Sequence, residues 1–188
     1  MRDVEAPVSP SRRRLLTRGL LGGALLVVGG ALPLALRSTL VRGKPKRALL
    51  LLSEDEHAIF AAVAARFAPG DGAGPTWPTV DAVDCAGKVD ALMATTLPEV
   101  GAELRQLLRL FESALFGMVF TRVPAPFTRL SPAAQDARLE SWRHSRLALL
   151  RSGYQALKRL SHATYYSSPE IYALVGYPGP PEVPRGPA

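Results

Sequence analysis

Three aspartates within ten residues, Asp81, Asp84 and Asp90, with histidines at 57, 144 and 162 and the single cysteine Cys85, are the side chains here with the chemistry to move a proton or hold a metal. Carboxylates three positions apart share a helix face, which is the spacing an acid pair or a cation site would use. A calcium loop needs ligands at five or six fixed offsets around a glycine, and that pattern is missing. Carboxylates set against the positive end of a helix explain the aspartates more simply. Each histidine falls on a separate predicted helix and reads as a surface or helix-end side chain, with Asp55 and Glu56 beside only the first. One thiol and three scattered histidines do not make a zinc set. Cys85 is expected to be a small buried side chain on a helix, with an intermolecular disulfide as its alternative in an oxidising compartment. No Gly-x-Gly-x-x-Gly between strand and helix, P-loop, His-Glu-x-x-His or Gly-x-Ser-x-Gly occurs, so no catalytic, cofactor-binding or metal-ligating residue is assigned.

The other side chains that stand out are aromatic. Trp77 lies between Pro75 and Pro78, and Tyr165, Tyr166, Tyr172 and Tyr177 surround Pro169 near the C-terminus. Aromatics with a polar tip bury much area with few rotors and still hydrogen-bond, as the anchors of a protein interface do. These six residues are the candidate partner interface; the alternative for each is that it caps the chain's own core.

The elements that must position them are helices. Ser53 and Glu56 form a capping box, after which Ile59, Phe60, Val63 and Phe67 repeat on one face until Pro69-Gly70. A second helix is predicted from about Thr79, with Val80, Val83, Val89, Leu92 and Met93 on its apolar face. Pro98 opens a third, whose stripe Leu104, Leu107, Leu108, Phe111, Leu115 and Met118 is the longest in the chain. Ser131-Pro132 starts a fourth bearing Leu139 and Trp142, and Leu147, Leu150, Tyr154, Leu157 and Leu160 mark a fifth running toward Tyr166. Ser168-Pro169-Glu170 begins a short sixth that Gly176 closes. No alternating strand and no repeat is found. The expected fold is all-α, a small irregular bundle of about five to six helices behind an N-terminal signal or anchor.

Charge separates that leader from the body. The 188 residues carry a formal +7, but residues 1–47 hold ten of the 23 Lys/Arg and two of the 16 acids, which leaves the remainder at −1. A near-neutral body without interleaved basic and aromatic stripes excludes nucleic acid as a partner. Ser11-Arg12-Arg13-Arg14-Leu15-Leu16 fits the twin-arginine export pattern, and the apolar run Gly19–Leu36 is diluted by glycines as in such signals. A Sec signal or plain anchor is the alternative. No Ala-x-Ala precedes Arg37, so the segment could stay uncut and hold the protein on the periplasmic face of the inner membrane, with "RGKPKR" (42–47) as a tether favouring anionic lipid. The expected organisation is a leader with basic linker over 1–47, a helical domain over 48–178 and a disordered proline-rich tail over 179–188.

With this leader, "LSEDEHAIFAAVAARFAPGDGAG" and the ending "YYSSPEIYALVGYPGP", the chain resembles the gluconate 2-dehydrogenase subunit 3 family over roughly Leu52–Pro180. The most specific part is Tyr165–Glu170 followed by Gly176-Tyr177-Pro178-Gly179. The resemblance implies a non-catalytic small subunit and export escort of a periplasmic flavin-dependent sugar or alcohol dehydrogenase of the glucose-methanol-choline type. It further implies FAD in the large partner subunit and none in this chain, a cytochrome c subunit as electron acceptor, and the twin-arginine translocase as a transient partner that reads Arg12 and Arg13. The competing reading is a free-standing, membrane-anchored helical envelope protein with no enzymatic partner.

Overall fold

The computed structural model describes residues 39–40, 44–69 and 77–181, all within one compact unit that begins at Ser38. Arg12, Arg13, the run Gly19–Leu36, residues 70–76 and the tail from 182 lie outside the described residues. Among the described residues the structure is all-helical, with seven α-helices and one 3₁₀ turn at Phe127–Arg129. No helix among them is long and apolar enough to cross a membrane.

Helix α1 (Glu54–Phe67) is the hub. The capping box forms as expected, with Ser53 Oγ accepting from Glu56 N–H and Glu56 Oε2 from Ser53 N–H at 2.9 Å. Its buried face, Ile59, Phe60, Val63 and Ala64, meets α2 (Cys85–Ala94), α3 (Pro98–Glu112) and two later helices, Pro132–Arg143 and Ala148–Tyr166, around one core. Glu56 does more than cap. Its carboxylate is almost fully buried and accepts from Arg105 Nε at 3.0 Å and Arg109 Nε at 2.8 Å, which ties α1 to α3. Burial works against its charge, but the Ser53 N–H and the two guanidinium groups outweigh that and hold its pKa below the ordinary value.

The second helix starts later than its apolar spacing predicts. Residues 80–84 form turns and α2 runs Cys85–Ala94, because Asp84 takes the left-handed conformation (φ 54°) and caps Gly87 N–H. Cys85 is fully buried at its first position, which removes the intermolecular disulfide reading, and burial pushes its thiol pKa up.

The predicted third helix is two. Helix α3 (Pro98–Glu112) stops where Ser113 turns to cap α4 (Ala114–Thr121). The break comes from Glu112, whose buried carboxylate turns inward to Thr128, accepting its backbone N–H at 3.0 Å and its hydroxyl. Leu115 and Met118 therefore leave the core stripe and stand 38% and 48% exposed.

Helix α5 (Pro132–Arg143) is capped by Ser131 and packs Trp142 edge-on against Phe111 at 4.7 Å, beside Phe127. Helix α6 (Ala148–Tyr166) follows, and α7 is a single turn, Pro169–Tyr172, ended at Gly176 with φ 69°, a conformation side chains rarely adopt. Ser168 precedes α7 as predicted but does not cap it: its hydroxyl accepts from Lys88 Nζ, joining α2 to the α6–α7 corner.

The segment ahead of α1 lies on the body as a strap. Leu40 N–H donates to Thr128 Oγ1 at 2.9 Å, Lys46 Nζ to the carbonyls of Asp81 and Ala82, and Arg47 Nε to Asp84 at 3.1 Å. Leu51 lies where a β-carbon on Gly101 would come within 2.8 Å of its Cδ2, so a larger residue there would make the Leu51 side chain shift. Lys46 and Arg47, which the sequence reading places in the basic linker, thus hydrogen-bond to the body.

Candidate functional site

Among the described residues the buried carboxylates Glu56, Asp90 and Glu112 are committed to the body's own architecture. Asp90, read from sequence as a helix-end charge, is fully buried inside α2 and accepts three successive strap N–H groups, from Leu50 at 2.7 Å, Leu51 at 2.9 Å and Leu52 at 2.7 Å. Burial opposes its ionisation, yet these three donors hold its pKa below the ordinary aspartate value. His57 is half-buried and not at the surface; burial lowers its pKa against the pull of Asp84 and Asp90. His144 pairs with Glu140 at 3.1 Å, and His162 stacks edge-on with Phe67 and Tyr166. Among the described residues no group of three or more His, Cys, Asp or Glu is placed to hold a metal.

The aromatic residues divide into two sets. Tyr165 is fully buried and its hydroxyl donates to Pro78 O at 2.7 Å, so it belongs to this chain's core and fixes the exit of the loop before α2. Trp77 is half-buried against the same core. The rest gather at the α6–α7 corner. Tyr166 is 38% and Tyr177 45% exposed, Pro169 is exposed, and Tyr172 is half-buried with its hydroxyl on Ser167 O at 3.1 Å and its ring edge-on to Tyr177 at 5.1 Å.

Leu174 and Val175, which the sequence reading did not single out, stand 40% and 47% exposed beside them. Their signal was present: apolar residues on a turn that Gly176 closes have no further helix to pack against. The corner is braced from below by Lys88, which also reaches Thr164 O at 3.5 Å, and by fully buried Ile171. A rigid aromatic face rimmed by aliphatic side chains suits docking to another protein, because few rotors are frozen when it is covered.

No curated protein and no solved structure matches the chain. A family model does: gluconate 2-dehydrogenase subunit 3, over residues 54–179, which takes in every helix described above and the whole α6–α7 corner. The chain belongs to the gluconate 2-dehydrogenase subunit 3 family.

Proposed function

We propose that this chain is the non-catalytic small subunit and export escort of a periplasmic, FAD-dependent sugar or alcohol dehydrogenase of the glucose-methanol-choline type. The observation that carries the reading is membership of a dehydrogenase-subunit family by a chain whose buried carboxylates, among the described residues, hold its own helices and strap, while Tyr166 and Tyr177 stand exposed at one corner. A flavin pyrophosphate is usually received at a glycine turn between strand and helix, and the described residues contain no strand. In this reading the flavin sits in the large subunit, and a cytochrome c subunit takes its electrons.

The roles then separate along the chain. Arg12 and Arg13 address the twin-arginine translocase, which moves folded cargo, and the helical body holds the large subunit so that both cross together. The C-terminal corner, Tyr166, Tyr172, Leu174, Val175 and Tyr177, supplies the contact.

Expressing the large flavoprotein subunit with and without this chain tests the reading. Active flavoprotein in the periplasm only when the chain is present is the expected result. Active, exported enzyme in its absence removes the escort role, and recovery of the chain from membranes as a monomer with no flavoprotein returns it to the free-standing envelope reading.

A further inference from the structure

Helix α4 turns a mainly apolar face outward. Leu115, Met118 and Val119 stand 38%, 48% and 70% exposed, with Val123 just beyond at 38%. From Ser113 to Ser131 the chain contains no acidic residue, and its two charged residues, Arg122 and Arg129, are both exposed. The face differs in kind from the α6–α7 corner. It presents apolar side chains rimmed by arginine, without an exposed tyrosine or tryptophan, which suits the interface of an anionic bilayer.

Where the leader joins the body gives the second observation. Glu112, which ends α3 immediately before α4, accepts from the Thr39 side chain, and Leu40 N–H is held by Thr128. The chain preceding Thr39 is 38 residues long, and its apolar run ends at Leu36. Three extended residues span about 10 Å at most. A leader retained as an anchor is therefore tied by three residues to the part of the chain that Glu112 and Thr128 hold.

We infer that α4 rests in the headgroup region of an anionic membrane, with Leu115, Met118 and Val119 entering the upper acyl layer and Arg122 meeting lipid phosphate. That placement rests on the envelope location proposed above, with the leader retained as an anchor. It gives the protein two membrane contacts, the leader and α4.

The test uses the full chain reconstituted in phosphatidylethanolamine/phosphatidylglycerol vesicles, which needs neither translocase nor dehydrogenase, so its failure leaves the escort reading standing. Val119→Cys, or Met118→Cys if the first label perturbs folding, is labelled with an environment-sensitive dye; Cys85 is fully buried and stays unlabelled. Gln155→Cys on exposed α6 is the reference position. A lipid-borne nitroxide is expected to quench the α4 label about threefold more than the reference, and Arg122→Gln to lessen that difference as anionic lipid is replaced by phosphatidylcholine. Equal quenching at both positions overturns the inference. So does an α4 label shielded from aqueous iodide but out of reach of the nitroxide, which would mean that protein covers the face.

Discussion

The Asp90 carboxylate lies 2.7 Å from the backbone nitrogen of Leu52, a residue 38 positions earlier, and the same group takes the N–H groups of Leu51 and Leu50. One buried charge thus ties the Leu50–Leu52 end of the strap to α2. Asp90→Asn is expected to cost about 2 kcal/mol and Asp90→Ala about 3 kcal/mol, because removing the acceptor leaves buried donors without partners. Chemical denaturation of the two variants measures this. Since the folded pKa of Asp90 is lowered, its contribution is present above the unfolded value of about 4 and lost as pH falls through the folded one, so Asp90→Ala flattens the acid limb of the stability profile.

Glu112 behaves in the opposite sense. Burial raises its pKa despite the hydrogen bonds from Thr128 and Thr39 and the charge of Arg138, so the folded state binds its proton more tightly than the unfolded chain does. Its contribution is greatest below the unfolded pKa and declines as pH rises through the folded one. Glu112→Gln is expected to remove that decline, so that the stability of the variant relative to the parent improves from pH 4 toward neutrality, as thermal melts across that range can read.

Neighbouring tyrosines should give contrasting results. Tyr165→Phe removes the hydroxyl on Pro78 O and is expected to cost about 1 kcal/mol. Tyr165→Ala empties a fully buried aromatic site and should cost about 3–5 kcal/mol. Tyr166→Ala and Tyr177→Ala leave half-exposed positions and should shift the melting temperature by no more than about 2–4 °C.

That contrast shows what the sequence makes legible. The capping box at Ser53/Glu56 and the Ser131-Pro132 start could be read because both ends of each interaction lie within one turn. Tyr165 and Tyr166 look alike in composition, and only spacing separates them: Tyr165 falls eight residues after Leu157 and four after Ser161, on the buried face of α6. The break at Ser113 and the Asp90 clamp were not legible, since their causes, Thr128 and the strap, lie 16 and about 40 positions away. Helical periodicity registers neighbours in sequence and is blind to such partners. For the same reason Leu115 and Met118 read as core when the chain turns them outward.

Replacing Arg12 and Arg13 by Lys should leave a folded protein in the cytoplasm, since the described helices make their core from residues beyond Ser38. Fractionation with a circular-dichroism check on the retained protein measures it. Undiminished export of the double variant would point to a Sec signal or simple anchor.

The central claim is that this chain binds a flavoprotein dehydrogenase subunit through the α6–α7 corner. It is tested most directly by co-purification of the two chains with Tyr166 and Tyr177 intact or both changed to Ala. The intact chain should bring down a flavin-bearing large subunit with its 450 nm absorbance. The double variant should lose that band at least about tenfold, two anchors at about 2 kcal/mol each being more than enough, while its own helical signal persists. Undiminished recovery of the flavoprotein with the folded double variant would contradict this placement of the interface, and absence of any flavoprotein from the intact chain's preparation would contradict the function.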